Sequence, residues 1–177
     1  MRIAELASPQ QGENLMSMIL LAALAGAPTS AYTQLNLDNC EIYNVAHAGE
    51  GEWSNRRCPG RNGVTLFVDE DDGRFDIDAG VHNDTWESAA PLNELGPQVE
   101  WRLDGGRPFA IIYRYTIAEA MPGGRSMLAV ESIGRTGRPG CLVALITGDA
   151  AANARARQIA DTRARTFRCG RDQRITS

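Results

Sequence analysis

The chain has 177 residues and a net charge of −4 at pH 7, a length that suits one domain and a charge that argues against a general nucleic-acid binder. All 18 basic residues are arginine, which excludes a lysine Schiff base and a P-loop lysine. With 43% hydrophobic and 23% charged residues, the composition is that of an ordinary globular protein.

The first feature in chain order is an apolar run at residues 15–27, LMSMILLAALAGA. A membrane-spanning helix needs about 20 residues, so this shorter run matches the core of a secretory signal instead. We predict an export signal with its upstream extension at residues 1–31, cleavage after Ala31, and a mature chain at residues 32–177 without a transmembrane anchor. A buried core helix is the alternative, and translation from Met1, Met16 or Met18 stays open.

The first part of the mature chain contains three short segments of strand character. Alternating apolar and polar residues predict strands at 32–37, 64–69 and 75–79. The polar residues 38–61 predict an irregular loop. The sequence DDGR at residues 71–74 predicts a hairpin turn, because glycine adopts positive φ without strain.

The second part contains longer apolar strands. Residues 80–98 predict mostly loop, and VEWRL at 99–103 alternates strictly. After a second hairpin turn at 104–107, FAIIYRYTI at 109–117 is apolar on both sides, which predicts a strand covered on both faces. Further strands are predicted at 127–133 and 141–147.

A helix is predicted to follow, beginning near Asp149, whose carboxylate could cap the first N–H groups. Helical spacing places several small or apolar residues on one side, and this side should pack on the sheet: Ala152, Ala156, Ile159, Ala160 and Phe167. The expected fold is a single α+β domain, with one antiparallel sheet of about six strands, one C-terminal helix packed on it, and two disulfides.

The four cysteines all follow the predicted cleavage site, which favours two disulfides. A seven-residue strand from Cys141 covers about 23 Å, and a sixteen-residue helix returns about 24 Å, so Cys169 comes back to the level of Cys141. That leaves Cys40 to pair with Cys58. No CxxC pair is present, which argues against zinc and against a redox-active pair.

The densest acidic segment is DEDDGRFDID at residues 69–78. Carboxylate oxygens are the ligands that calcium prefers, so a calcium site is one hypothesis, with these candidate ligands: Asp69, Asp71, Asp76 and Asp78. Asp76 and Asp78 share a strand face about 7 Å apart, a separation that acid catalysis could use. The alternative is a solvated hairpin tip. No cofactor is expected otherwise.

Three charged residues of the central strands form a candidate ligand or partner site: Glu100, Arg102 and Arg114. Arginine makes bidentate contacts with anions, although a cross-strand ion pair explains the same pattern. The C-terminal segment is rich in arginine and could attract an anionic membrane or wall polymer. Nucleic acid is not expected as a partner of an exported protein.

The segment VEWRLDGGRPFAIIYR, with the Cys40 and Cys58 pair and the terminal ARTFRCG, resembles small exported bacterial proteins of unknown function. These share an early cysteine pair, an E-W-R strand and a C-terminal helix ending in cysteine. The resemblance covers most of the mature chain and implies export and a single domain. It implies no activity and no site residue.

These observations predict a periplasmic or secreted, non-enzymatic binding or interaction module of the bacterial envelope, acting as an inhibitor or accessory factor. Its partner would be a protein or an envelope polymer. A carboxylate-dependent hydrolase acting on envelope material is the alternative, and a calcium-stabilised structural protein is the second alternative.

Overall fold

The computed structural model of the chain describes residues 26–88, 91–118 and 124–177. Ten strands and one α-helix follow in this order: β1 Thr29–Gln34, β2 Glu41–Val45, β3 Trp53–Cys58, β4 Leu66–Asp71, β5 Arg74–Ala79, β6 Asn93–Asp104, β7 Arg107–Ile117, β8 Arg125–Ser132, β9 Leu142–Thr147, α1 Ala152–Ile159 and β10 Ile175–Thr176. The predicted leader lies outside the described residues except for 26–31, and the predicted mature start at Tyr32 falls inside β1.

The strands form two sheets, so the prediction of a single sheet of about six strands was wrong. One sheet has six strands in the order β1-β6-β7-β8-β9-β10, and the other has four in the order β2-β3-β4-β5. All pairings are antiparallel except that of β10 with β9. The second sheet arises because residues 38–61, expected to be a loop, contain β2 and β3.

The six-stranded sheet is the middle of three layers. One face packs against the four-stranded sheet through a core that includes Leu66, Ile77, Trp101 and Tyr113. The other face packs against α1 and the segment after it through a second core that includes Ile112. This arrangement explains why β7 is apolar on both sides.

Trp101 anchors the core between the sheets. Its side chain is fully buried, and its indole N–H donates to Thr33 Oγ1 at 2.8 Å. Gly60 lies so close that a Cβ there would come within 2.8 Å of the indole ring and 2.1 Å of the Val64 carbonyl oxygen. Residue 60 must therefore lack a side chain for the ring to be buried here.

The helical segment is shorter than the predicted sixteen residues. The α-helix covers Ala152–Ile159, and one π-helical stretch, Ala160–Ala164, extends it. The expected alanine face is present, since Ala152, Ala156 and Ala160 are fully buried against the sheet. Small side chains at four-residue spacing allow the helix to approach the sheet closely.

Both disulfides have the predicted connectivity. Cys40 bonds to Cys58, and Cys141 bonds to Cys169. The second bond joins the start of β9 to the chain that follows the helical segment. No helix in the described part of the chain is long and apolar enough to span a membrane.

Candidate functional site

Four arginine side chains converge at one end of the six-stranded sheet, around a depression of about 280 Å³. We call this site the arginine pocket and define it by six of its lining residues: Asp104, Arg107, Phe109, Arg135, Arg138 and Arg165. Four guanidinium groups face a single carboxylate, in a protein whose net charge is −4. The pocket is therefore a local concentration of positive charge.

Two tight turns position three of these arginines. In the β6–β7 hairpin Asp104 pairs with Arg107 across two glycines of positive φ, the geometry of a two-residue hairpin loop. Arg135 and Arg138 exchange both backbone hydrogen bonds at 2.8 Å across Thr136 and Gly137, which forms a second tight turn. Each turn therefore places arginine at its ends, next to the pocket.

The fourth arginine follows the π-helical stretch. The Arg165 guanidinium lies 4.1 Å from the centre of the Phe109 ring, and one of its nitrogens is 3.5 Å from an Asp104 carboxylate oxygen. Arg138 donates to the backbone carbonyls of Arg165, at 3.4 Å, and Phe167, at 3.1 Å. These contacts join the turns to the end of the helical segment and hold two guanidinium groups in place.

Arg107 and Arg135 differ from the other two arginines, because within the described residues neither side chain makes a hydrogen bond or an ion pair. Both side chains are exposed. Guanidinium groups present donors in a planar fork that matches carboxylate and phosphate oxygens. The pocket therefore combines two fixed cations with two whose donors are free for an anion.

The candidate residues Glu100 and Arg102 form a buried ion network, 6% and 5% exposed, on the face of the sheet that α1 covers. Arg102 makes a bidentate pair with Asp161, at 2.9 and 2.8 Å, and donates to Ser30 Oγ and the Pro28 carbonyl. Arg157 binds both carboxylate oxygens of Glu100, at 2.7 and 3.1 Å. These contacts connect β1 and β6 to the helical segment.

Arg114, the third residue of that set, does not join the network. Its guanidinium donates to Ser126 Oγ and, at 3.4 Å, to Asn153 Oδ1. Glu100 and Arg114 nevertheless line the same surface groove, a second depression between β6 and the start of α1.

The acidic candidates lie on β4 and β5, and each has partners within the chain. Asp69 accepts from Asn55 and contacts His82, each at 2.7 Å, while Asp71 pairs with Arg74 at 2.6 Å. Within the described residues, no group of three or more acidic, histidine or cysteine side chains is arranged to hold a metal ion. The calcium site stays a prediction.

Asp76 and Asp78 are each only 4% exposed and lie under the segment that follows β5. Asp76 accepts from the backbone N–H of Ser88 at 2.9 Å, and Asp78 accepts from that of Asn83 at 2.9 Å. Burial raises the pKa of Asp76 to about 6. Burial, helped by the charge of Asp76, raises the pKa of Asp78 to about 7, against the opposing effect of the Asn83 N–H.

Glu131 extends this acidic group from the facing sheet. It is 2% exposed, and one of its oxygens accepts from the Ala79 N–H at 3.0 Å. Burial, with the charges of Asp78 and Asp76, raises its pKa well above the usual range of a carboxyl. The cluster is enclosed, so its chemistry concerns stability more than access to a ligand.

A third depression, of about 320 Å³, lies beside Trp53 and Trp86 on the four-stranded sheet. Its three lining carboxylates have partners in the chain: Asp69 accepts from Asn55, Glu70 accepts from Ser54, and Asp71 pairs with Arg74. The Arg74 guanidinium lies 5.7 Å from the Trp86 ring centre. Its polar groups are thus largely satisfied within the chain, unlike those of the arginine pocket.

Sequence reasoning missed the arginine pocket because its arginines come from two separate turns and from the end of the helical segment. A signal was present, since DGGR and RTGR are turn sequences flanked by arginine. Comparison with protein-family models, with curated proteins and with solved structures gives no match to this chain. The function is therefore inferred from the chemistry of the site.

Proposed function

We propose that this protein is a non-enzymatic binding module of the bacterial envelope that holds a phosphate-bearing polymer in the arginine pocket. The observation that carries the proposal is the set of four guanidinium groups around one depression with a single carboxylate. Phosphate offers several acceptor oxygens and a full negative charge, the partners that arginine binds most strongly.

Binding is favoured over catalysis because the pocket has no activated nucleophile. The only hydroxyl in its lining belongs to Ser132, which is 7% exposed. Its Oγ donates to the Cys141 carbonyl at 3.2 Å and accepts from the Cys141 N–H at 3.1 Å. The lining has no histidine, and its one carboxylate, Asp104, lies beside Arg165, while the Ser132 hydroxyl hydrogen-bonds to the Cys141 backbone and has no base as its partner.

A phosphate polymer is favoured over a protein partner because of what surrounds the pocket. Protein interfaces have aromatic or aliphatic anchors at their centre. The large hydrophobic side chains exposed in the described part of the chain are five, and none lines the pocket: Tyr32, Ile42, Val45, Trp86 and Leu92. The site thus presents charge without an exposed large hydrophobic side chain that could serve as an anchor.

The envelope location is supported by the two disulfides, which form and persist in oxidising compartments. The apolar run at residues 15–27 supports export into the periplasm or medium. An export signal in this position would deliver the arginine pocket to the compartment that contains the proposed polymer.

The two alternatives have weaker support. A hydrolase that uses Asp76 and Asp78 needs access to carboxylates that are 4% exposed and line none of the three depressions described above. A calcium-stabilised structural protein predicts a rise in melting temperature with added calcium and a fall with a chelator. An unchanged melting curve in both solutions would end that alternative.

The proposal is tested by calorimetric titration of the whole protein with inorganic tripolyphosphate at low and high salt. We expect saturable binding that becomes weaker as the salt concentration rises. Arg107→Gln and Arg135→Gln should each weaken the binding by about tenfold, since hydrogen bonds to charged groups contribute about 1.5–3 kcal/mol. Arg171→Gln removes the same charge from an exposed site outside the pocket and should leave binding unchanged. Equal binding by all four proteins, or no saturable binding, would reject the proposal.

A further inference from the structure

A second surface depression, of about 440 Å³, lies between β6 and the start of α1. We call it the Arg114 groove and define it by six of its lining residues: Tyr32, Gln98, Ile112, Arg114, Leu128 and Asn153. It is distinct from the arginine pocket, since the two sets of lining residues share no member. Its volume is within the range of about 300–1,000 Å³ that small-molecule sites occupy.

A bulge of three residues in β6 forms one wall of the groove. Leu95 pairs with Tyr115 and Val99 pairs with Tyr113, so three residues of β6, 96–98, lie opposite the single residue Arg114. A Cβ at Gly96 would come within 3.1 Å of the Arg114 carbonyl oxygen, so glycine lets the bulge lie tightly against β7. Bulges often re-aim side chains beside functional sites.

The charges around the groove leave one cation in excess. Arg157 and Arg102 are balanced by Glu100 and Asp161 in the buried ion network. Arg114 has no carboxylate within salt-bridge distance in the described part of the chain. One unneutralised guanidinium therefore lies on β7, where β6 has moved aside.

Two of the polar side chains at the rim have free hydrogen-bond donors. Asn153 uses its carbonyl oxygen for Arg114, which leaves its NH₂ group, and Tyr32 accepts from Arg157 at 3.0 Å, which leaves its O–H. The apolar part of the lining is formed by Ile112 and Leu128, each 3% exposed. An ionised carboxylate only accepts hydrogen bonds, so it complements this rim.

From this arrangement we infer that the Arg114 groove is a binding site for a carboxylate attached to a short apolar group. The carboxylate lies against Arg114, Asn153 and Tyr32, and the apolar group lies over Ile112 and Leu128. Such a carboxylate has two sources, a free short-chain acid or the C-terminal residue of a peptide. The site does not depend on the proposed function, because it uses neither the arginine pocket nor a phosphate.

The test is a titration of the ¹⁵N-labelled protein followed by NMR, with butyrate as the probe and n-butanol as its uncharged match. We expect saturable butyrate shifts at the backbone amides of Gly96, Gln98 and Asn153, and binding of n-butanol at least about tenfold weaker. Arg114→Gln should weaken butyrate binding by about tenfold or more, whereas Arg171→Gln should not change it. A second arm titrates acetyl-alanyl-alanine, with its C-terminal amide as the uncharged match. If the free peptide binds more tightly than butyrate, the source is a peptide C-terminus, and if butyrate binds more tightly, the source is a free short-chain acid.

Equal binding of butyrate and n-butanol, unchanged binding by Arg114→Gln, or shifts confined to the arginine pocket would overturn the inference. The amide shifts of the unaltered protein keep the test valid even if a variant folds poorly. The same spectra separate this inference from the proposed function. Butyrate shifts in the groove without any tripolyphosphate shift in the arginine pocket would reject only the proposed function.

Discussion

The buried carboxyls of Asp76 and Asp78 predict that the protein becomes less stable as the pH rises from about 5 to about 7.5. An unfolded chain ionises these groups near pH 3.9, whereas burial raises their pKa values in the folded protein to about 6 and about 7. Between those values the folded state holds protons that the unfolded state has released. Raising the pH therefore favours unfolding.

The magnitude follows from the pKa values. Each group contributes up to about 1.4 kcal/mol per pH unit while only the unfolded state is ionised, so the two together lower the free energy of unfolding by about 2–4 kcal/mol over this range. Glu131 acts in the same direction because its pKa is also raised. Burial lowers the pKa of His82, but the hydrogen bond and the charge of Asp69 raise it, and the pKa is raised overall. The stability that protonated His82 gives the folded protein is therefore also lost as the pH rises.

The assay is urea unfolding followed by circular dichroism across this pH range, on the wild type and on Asp78→Asn. The amide is neutral at every pH and keeps an oxygen that can accept from the Asn83 N–H. We expect the variant to be about 1–2 kcal/mol more stable than the wild type at the upper end, with a flatter pH dependence. Asp38→Asn, at an exposed carboxyl, is the control and should follow the wild type. A wild-type stability that is constant or rises with pH would refute the reasoning.

Three further predictions follow from the packing. Arg102→Met leaves Asp161 without its ion-pair partner and Glu100 with Arg157 alone, and should lower the free energy of unfolding by about 2–4 kcal/mol in urea; a loss under about 1 kcal/mol would contradict the network's role. The double variant Cys141→Ser, Cys169→Ser lacks the disulfide that joins residues 28 apart in sequence, and its free energy of unfolding should be about 3–4 kcal/mol lower than that of the wild type under non-reducing conditions. Equal stability of the two proteins would contradict this. Cleavage after Ala31 would remove half of β1, so the intact mass of exported protein should show a start before Thr29, and a mass that starts at Tyr32 would contradict this.

The sequence was informative wherever a local pattern determines local structure. The hairpin turn at 104–107 follows from two glycines, and the strand at 109–117 follows from continuous apolar character. The pairing of Cys141 with Cys169 was found although the helical segment is shorter than assumed, because the chain after it continues back toward β9.

The second sheet could not be predicted from the sequence because β3 is polar and β2 is a largely exposed edge strand. The strand WSNRRC has only two buried side chains, Ser54 and Cys58, so it lacks the alternation by which a strand is recognised. Its partner β2 is an edge strand with no fully buried residue. These strands are stabilised by pairing with β4 and by the Cys40–Cys58 bond, neither of which a local pattern shows.

The sites were harder to predict than the fold because their residues are distant in sequence. Glu100 and Arg102 were expected on a charged sheet face, but their partners Arg157 and Asp161 come from the helical segment that covers that face. The arginine pocket likewise joins Arg107 to turns and helix ends that approach it only after folding. Proximity of that kind depends on how the layers pack.

The central claim, that the arginine pocket binds phosphate groups, is tested most directly by mapping where inorganic tripolyphosphate contacts the whole protein. We predict that, in NMR spectra of the ¹⁵N-labelled protein, saturable and salt-sensitive shifts centre on the amides of Arg107, Arg135, Arg138 and Arg165. Shifts spread over all exposed arginines, or centred elsewhere in the chain, would contradict the claim.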